Sequence, residues 1–505
     1  MSDQSVRAAL RSDAHLVVVE APAGCGKTYQ GADYAREVAG EMRSGWPLII
    51  THTHAACSVF AERTKPAHAR VEIRTVDSIV GSIASAYHLG LGLPADTATW
   101  IRQREDGYSQ VAAMVSRLLK RHPLVASSLA RRHPIIICDE HQDSSDDQHA
   151  VAMALAAQGA KIRIFADPMQ EVFGSSWMIT GALFSHWNEL TQHADAFETL
   201  DFPHRWAEGC PALGSWTLSV REALKKGGTV DLRGRPSSVA VVYADNQAPR
   251  DLDYQLDKSD RAAVDRFERD SSSLLVLTRH NRTARSLRAL FNRRIPLWEG
   301  HVRGGLGRLV DAINAAAGDR EALAAGVVEF LGSIGKGFSP SAFGNVFAQE
   351  VQQGCTRPRR GKAAAVQELA RCLVADPNHY GAGKTLRRIA EMLDTDPVFA
   401  SCKVDCHREF WDAVHVCEFE TPDIGLAEVT HRRNHSRPKP PARSISTIHK
   451  AKGLECDSVI VLPCDERTFP DSHEARCVLY VALSRAKKRL MVVVSKTKPS
   501  PLLNL

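Results

Sequence analysis

A short segment near the start of the sequence has the residue types of a phosphate-binding loop. It follows the apolar, β-branched run at 17–19 and consists of Ala21, Pro22, Ala23, Gly24, Cys25, Gly26, Lys27 and Thr28. In such a loop, backbone N–H groups and the N-terminus of the next helix can surround phosphate oxygens. Lys27 brings a charge to the β- and γ-phosphates, and the Thr28 hydroxyl can bind Mg²⁺. The alternative, a glycine turn before an ordinary helix, leaves the Lys-Thr pair unexplained.

Two adjacent carboxylates could complete a phosphoryl-transfer site. Asp139 and Glu140 directly follow the apolar run at 135–138. Asp139 can hold the Mg²⁺ shared with Thr28, and Glu140 can orient and deprotonate an attacking water. A surface acidic turn is the alternative interpretation. A buried strand that leads into Asp-Glu, together with a phosphate loop, favours a site for ATP hydrolysis.

These groups need strands that end at one edge of a sheet. Apolar runs predict strands at 47–50, 71–74, 135–138 and 161–165, and a helix is expected from Tyr29 to about Arg43. Strands that alternate with helices predict a parallel sheet with ligand groups at the carboxyl ends of its strands. A second set of strands is expected at 239–243, 274–277, 458–462 and 490–494.

Two regions interrupt this alternation and are predicted to be mainly helical. They cover residues 82–133 and about 300–430, and the second is rich in basic residues. A basic, proline-containing linker is expected at 431–443, because residues that precede proline disfavour helix. The simplest interpretation is two sheet domains, each with a helical insertion.

Composition sets broad limits on function. The 505 residues include 64 basic and 58 acidic side chains, so the net charge of +6 permits a polyanionic partner without demonstrating one. The twelve cysteines contain no Cys-x-x-Cys pair, and the polar start has no apolar signal-peptide core. We therefore expect a cytoplasmic protein. No apolar run approaches the roughly 20 residues that span a membrane, so no membrane partner is expected.

The segment 139–143, Asp-Glu-His-Gln-Asp, resembles the Asp-Glu-x-Gln-Asp box of UvrD/Rep-like superfamily 1 DNA helicases. Other segments resemble further motifs of that family, in the same order along the chain. They are Gln4 ahead of the phosphate loop, Thr-His-Thr-His at 51–54, Ala-Asp-Pro-Met-Gln at 166–170, Pro-His-Arg at 203–205, Thr-Ile-His-Lys-Ala-Lys-Gly-Leu-Glu at 447–455 and Tyr-Val-Ala-Leu-Ser-Arg at 480–485.

The resemblance implies a role for each matched residue. Gln4 would read adenine, Gln170 would link the γ-phosphate to DNA, and Glu455, with Gly453 beside it, would contact the nucleotide ribose. Arg205 and Arg485 would be arginine fingers. The expected catalytic set is therefore Lys27, Asp139, Glu140, Gln170, Arg205 and Arg485, with ATP and Mg²⁺ as cofactors.

The resemblance also implies the domain organisation. We expect an α/β fold with two RecA-like motor domains built on parallel sheets, each carrying a mainly helical insertion. The first motor domain would comprise 1–81 and 134–198, with an insertion at 82–133. The second would comprise 199–299 and 440–505, with an insertion at 300–439. ATP would lie in the cleft between the motor domains.

Single-stranded DNA is the expected partner, and the resemblance implies eight residues that would contact it. They are Thr51, His52, Thr53, Thr75, Phe173, Trp177, Thr447 and His449. The sequence departs from the family here, because His52 replaces an aromatic residue and Ser175 replaces the expected tryptophan, with Trp177 displaced by two residues. Phe173 and Trp177 could stack on bases or pack at a domain interface.

Two further patterns have ordinary explanations. The segment 381–385 reads Gly-Ala-Gly-Lys-Thr, but no apolar strand precedes it, and we interpret it as the start of a helix. Cys402, Cys406, His407 and Cys417 have imperfect spacing for zinc. We interpret these as ordinary residues, and the sequence leaves metal binding open.

Three functions are compatible with these motifs. The first is an ATP-dependent helicase or translocase that moves 3′ to 5′ on single-stranded DNA. The second is an ATPase that senses DNA ends and regulates a separate nuclease. With its short insertions and the expected lack of an appended nuclease domain, the chain resembles in size and architecture the helicase-like subunit of the Gabija anti-phage system. The third is a remodeller that strips proteins from DNA.

Overall fold

The computed structural model describes residues 2–65, 71–102, 104, 106–173, 185–248, 253–298, 304–435 and 441–505. The chain forms two compact units. One unit comprises residues 1–293 and 442–505, and the other comprises 294–441. Trp177 lies outside the described residues.

The first sheet of the larger unit is wholly parallel. Its strands are β1 (Leu16–Glu20), β2 (Leu48–Thr51), β3 (Glu72–Thr75), β4 (Ile135–Cys138), β5 (Lys161–Ala166) and β6 (Ala196–Thr199). In the described residues their spatial order is β3-β2-β4-β5-β1-β6. Because β5 lies between β1 and β4, the segments that follow these three strands meet at one carboxyl edge.

Helices cover this sheet and fill the predicted insertion. They are α1 (Ser2–Arg11), α2 (Lys27–Glu41), α3 (His54–Thr64), α4 (Val76–Ala86), α5 (His88–Leu91), α6 (Thr97–Arg102), α7 (Gly107–Arg121), α8 (Pro123–Arg132), α9 (Asp146–Ala156) and α10 (Ser185–His193). Apolar residues of α4, α7 and α9 share a core with β2, β4 and β5. Helix α4 runs without a break across the predicted domain boundary at 81, and that boundary stays a prediction.

The chain then enters the part that carries the second sheet. Its elements up to residue 293 are α11 (His204–Ala207), α12 (Pro211–Lys225), β7 (Val230–Asp231), β8 (Val239–Tyr243), α13 (Lys258–Arg269), β9 (Leu274–Thr278) and α14 (Asn281–Leu290).

The smaller unit is mainly helical and has its own apolar core. Its elements are α15 (Gly304–Ala316), α16 (Arg320–Ile334), β10 (Gly335–Lys336), α17 (Asn345–Gln352), α18 (Lys362–Ala375), α19 (His379–Thr395), β11 (Lys403–Val404), α20 (His407–Val416) and α21 (Pro422–His435). The second Gly-Lys-Thr segment lies in the first turns of α19, as predicted. A Cβ on Gly383 would lie 2.6 Å from Cys417 Cβ, so this glycine serves helix packing.

The chain returns to the larger unit with the remaining elements β12 (Arg443–Thr447), β13 (Cys456–Cys464), α22 (His473–Leu483), β14 (Ala486–Val494) and β15 (Leu503–Asn504). In the described residues, the second sheet has the order β12-β9-β13-β14-β8, and each pairing is parallel. Two parallel sheets with helical connections confirm the predicted α/β class with two RecA-like domains.

The predicted linker at 431–443 is wrong for its first part. Helix α21 continues to His435, and β12 already begins at Arg443. The first proline of the segment is Pro438, and its restriction on helix acts on the residue before it. Residues 431–435 are therefore free to complete the helix.

The described helices and cysteines were candidates for membrane spans and for a metal site. Every helix in the described ranges is too short or too polar to cross a membrane. Within the same ranges, no group of three or more His, Cys, Asp or Glu side chains could hold a metal ion. Cys402, Cys406 and Cys417 are buried, and none of them forms a disulfide with a described residue.

Arg163 of β5 should stabilise the first sheet strongly. Its fully buried guanidinium donates to the carbonyl oxygens of Leu10, Ser12 and Ala14 at 2.8–3.0 Å. Arg163→Met would leave these carbonyls without donors, so the free energy of unfolding should fall by about 2–4 kcal/mol. Urea denaturation followed by circular dichroism measures this change. The exposed Arg131→Met is the control, and an equal loss in both variants would contradict the assignment.

Candidate active site

The loop after β1 has a backbone that only glycine accommodates at two positions. Gly24 and Gly26 have φ values of +77° and +88°, in the left-handed region. A Cβ on Gly24 would lie 2.7 Å from Trp206 Cζ3 and 2.8 Å from Arg205 Cβ. Helix α2 then begins at Lys27. The loop therefore leads into a helix N-terminus, as expected for phosphate binding.

Residues that belong to the second sheet and its helices hold this loop in place. The Ala23 N–H donates to Tyr480 Oη at 3.0 Å, and the Arg205 N–H donates to the Gly24 carbonyl oxygen at 3.0 Å. The phosphate loop is thus enclosed from one side by α11 and α22. The structure thus places Arg205 against the phosphate loop that leads into Lys27.

The two carboxylates after β4 face Lys27. Its Nζ lies 3.7 Å from Asp139 Oδ1 and forms an ion pair with Glu140. Glu140 adopts φ +52°, which is unusual for a residue with a side chain. This turn ends β4 and directs the second carboxylate toward the phosphate loop.

Asp139 and Thr28 fit a magnesium site in their chemistry. Asp139 is almost fully buried, and its Oδ1 accepts no hydrogen bond from any residue that the structure describes. A buried, unsatisfied carboxylate oxygen favours a cation as its partner. Carboxylate and hydroxyl oxygens are the hard ligands that Mg²⁺ prefers.

Burial and charge have opposing effects on the pKa values of this group. Burial raises the pKa of Asp139 to about 6, although Lys27 acts in the lowering direction. Burial also opposes ionisation of Glu140, but Lys27 and Lys452 outweigh it and hold the pKa of Glu140 well below its usual range. Burial would lower the pKa of Lys27, yet Glu140 and Asp139 raise it. Glu140 is therefore ionised at neutral pH.

A chain of hydrogen bonds runs from Glu140 to Gln170. Gln142 Nε2 donates to Glu140, and Gln142 Oε1 accepts the Asp167 N–H at 3.1 Å. Asp167 Oδ2 accepts from Gln170 Nε2 at 2.9 Å. Since Asp167 and Gln170 follow β5, this chain connects the ends of two neighbouring strands.

The two predicted arginine fingers lie side by side. Arg485 Nη2 donates to Gln170 Oε1 at 3.4 Å and to Ser484 Oγ at 2.9 Å. Arg205 donates to the Ser484 carbonyl oxygen at 2.7 Å and lies 2.6 Å from Glu455 Oε2. Burial, with repulsion from Arg205, lowers the pKa of Arg485 to about 10. Arg485 is therefore charged at neutral pH.

Lys452 joins matched motifs that lie far apart in the sequence. Its Nζ contacts the Asp143 carboxylate at 2.5 and 2.7 Å and the Gln170 carbonyl oxygen at 2.6 Å. Burial raises the pKa of Asp143 to about 6, against the lowering effect of Lys452. The sequence analysis did not predict this pair, although both residues lie inside matched motifs. Their opposite charges are the sequence feature that could have indicated the contact.

Gln4 lines a separate cavity beside the phosphate loop. The cavity has a volume of about 210 Å³, and Tyr29, Gln30 and His204 also line it. His204 Nε2 contacts Asp3 Oδ2 at 2.8 Å. A pocket with an amide, an aromatic ring and an imidazole has the groups to receive a nucleotide base.

The predicted DNA-contacting threonines have structural roles. Thr51 and Thr447 are buried at the ends of β2 and β12. Thr53 and Thr75 cap helices, because their hydroxyls accept the N–H groups of Ala56 at 3.1 Å and Ser78 at 3.2 Å. Gly453, predicted near the ribose, has φ +81° in the turn before Glu455.

His52 is engaged within the protein. Its Nε2 lies 3.1 Å from Ser144 Oγ, which in turn lies 3.3 Å from His141 Nδ1 in the Asp-Glu-His-Gln-Asp segment. Burial lowers the pKa of His52 to about 4. A neutral His52 therefore connects a predicted DNA segment to the carboxylate segment.

Phe173 is an exposed member of the predicted DNA set. Its side chain is 55% exposed, with Lys452 Nζ 5.2 Å from the ring centroid and the His449 ring 6.4 Å away. Exposure and a neighbouring cation suit a stacking platform for a base. Its role, like those of the other predicted site residues, stays a prediction.

Comparison with known protein families gives two matches. Residues 97–177 match the UvrD/REP helicase N-terminal domain, and residues 425–497 match the UvrD-like helicase C-terminal domain. The first contains Asp139, Glu140 and Gln170, and the second contains Glu455 and Arg485. A comparison with curated proteins finds no match.

Gly24→Ala should weaken nucleotide binding. The added Cβ would meet Trp206 and Arg205, and φ +77° would be strained. The dissociation constant of a fluorescent ATP analogue should rise at least about tenfold. Gly159→Ala is the matched control, because it has φ +94° but open space around its Cβ. Unchanged affinity in Gly24→Ala would contradict the loop geometry.

Proposed function

Since this chain belongs to the UvrD/Rep-like superfamily 1 helicases, we propose that it couples ATP hydrolysis to 3′–5′ movement on single-stranded DNA. One observation supports this most strongly. Lys27, Glu140 and Gln170 of the first sheet form a continuous polar network with Arg205 and Arg485 of the second. A site assembled from both sheets can convert a change in the nucleotide into relative movement.

Each residue of the network has a defined task in ATP hydrolysis. Lys27 and the two arginines stabilise negative charge on the transferred phosphoryl group. Glu140, which is ionised, orients the attacking water and accepts its proton. Mg²⁺, when held by Thr28 and Asp139, neutralises charge on the phosphate oxygens. Gln4 and His204 bind the base, and Glu455 binds the ribose.

The coupling to DNA passes through Gln170 and Lys452. Gln170 is held by Asp167 and Arg485, while its carbonyl oxygen accepts from Lys452. Lys452 lies over the exposed ring of Phe173. Movement of Gln170 on hydrolysis therefore reaches the aromatic residue that would stack on a base.

Lys27→Ala should abolish ATP turnover, reducing kcat at least about 100-fold, because the phosphate loop loses its charge. Phosphate release with and without single-stranded DNA measures the effect. Lys384→Ala is the matched control, since Lys384 belongs to the Gly-Lys-Thr segment inside α19 and pairs with Asp376. Turnover in Lys27→Ala equal to that of the unmodified chain would refute the nucleotide site.

Strand displacement tests movement and its direction. With ATP, the protein should displace the short strand of a duplex with a 3′ single-stranded tail, and a matched 5′-tailed duplex should stay intact. Gel separation of labelled strands measures both. Displacement from the 5′-tailed substrate alone would contradict the direction.

A DNA-end-sensing ATPase that regulates a partner nuclease is the second candidate. The observation that favours it is the engagement of neutral His52 by Ser144, which takes this side chain away from base stacking. ATPase activity stimulated by single-stranded DNA, without displacement from either tailed duplex, would select this function. Co-purification with a genetically adjacent nuclease would support a defence complex of the Gabija kind.

A further inference from the structure

Arg221 is a buried arginine that none of the matched motifs includes. It lies on α12, and its side chain is 1% exposed. Its Nε and Nη2 donate to Asp167 Oδ1 at 3.0 and 2.7 Å, and Nη2 also donates to Glu20 Oε1 at 2.5 Å. Glu20 and Asp167 stand at the ends of β1 and β5. One guanidinium therefore joins the two strands that carry the phosphate loop and Gln170.

Arg221 neutralises two buried carboxylates. Asp167 and Glu20 are both buried, and a buried carboxylate without a cation is costly. Burial would lower the pKa of Arg221, but Asp167, Tyr480 and Glu20 raise it well above its usual value. Lys225 also pairs with Glu20, but among the described residues it forms no ion pair with Asp167. Arg221 is therefore the side-chain cation that contacts Asp167 in the described chain.

Asp167 transmits this contact to Gln170. While Oδ1 faces Arg221, Oδ2 accepts from Gln170 Nε2 at 2.9 Å. An ionised Asp167 can only accept hydrogen bonds, so it requires the nitrogen of the Gln170 amide to face it. The amide oxygen is then turned toward Arg485 Nη2, 3.4 Å away. The orientation of Gln170 therefore depends on its contact with the Asp167 carboxylate.

We propose that Arg221 is a positioning residue that holds Gln170, through Asp167, in the orientation needed for ATP hydrolysis. Loss of the guanidinium would remove the side-chain cation from Asp167 Oδ1 and leave this carboxylate less firmly held. A displaced carboxylate would no longer hold Gln170 Nε2, and the Gln170 amide would lose the orientation that presents its oxygen to Arg485. The proposal rests on the proposed function, because it assigns a cause to the orientation of a residue in that site.

Arg221→Met should lower kcat for ATP hydrolysis about 10- to 100-fold, with KM for ATP changed less than about threefold. Lys225→Met on the same helix should change kcat less than about twofold, since it leaves Asp167 paired. Arg221→Lys should recover part of kcat, because an ammonium restores the charge but not the fork. Should Arg221→Met fail to fold, Arg221→Lys carries the test, with a kcat about 3- to 10-fold below that of the unmodified chain.

A double-mutant cycle separates positioning from stability. In a Gln170→Ala background, Arg221→Met should reduce kcat less than about twofold further, because the Gln170 side chain that Arg221 is proposed to position is already absent. Full additivity of the two losses would overturn the proposal, as would kcat equal to that of the unmodified chain in both Arg221 variants. An unmodified chain that does not hydrolyse ATP would instead refute the proposed function. Thermal unfolding confirms that each assayed variant is folded.

Discussion

The need to neutralise buried and partly buried carboxylates at the carboxyl edge of the first sheet organises the candidate active site. Glu20, Asp139 and Asp167 are buried, Glu140 and Asp143 are partly buried, and all five follow or end the strands of this sheet. Their cations include Lys27 on the phosphate loop's own helix, and Arg221, Lys225 and Lys452 from the chain segments that build the second sheet. Because isolated buried charges are costly, the two sheets are held together by complementary charge as well as by apolar packing.

Under the proposed function, this arrangement lets the nucleotide control the geometry. Its phosphates would bring further negative charge to Lys27, which pairs with Glu140 in the present structure. Neighbouring contacts must adjust when that charge enters or leaves, because Gln142 links Glu140 to Asp167 and then to Gln170. Arg485 belongs to the same network and is itself almost fully buried. A local change in charge would thus be transmitted to both sheets through this network of hydrogen bonds.

Much of the fold and of the nucleotide site could be predicted from the sequence. The strands at 135–138 and 239–243 have the predicted bounds, because apolar β-branched runs with sharp ends leave little ambiguity. The pairing of Asp143 with Lys452 joins residues 309 positions apart, which no local pattern can show. The role of Arg221 could not be predicted for another reason, since an arginine on an amphipathic helix is usually solvent-exposed.

The left-handed backbone at Glu140 has a cost for the folded state. A non-glycine residue at φ +52° is strained by about 1 kcal/mol, and the side chain also carries a partly buried negative charge. Glycine or asparagine would fit that backbone better. Under the proposed function, the residue best suited to the fold at this position is therefore different from the one suited to hydrolysis. A chain with glycine or asparagine here would be more stable but inactive, so selection for stability alone would remove Glu140.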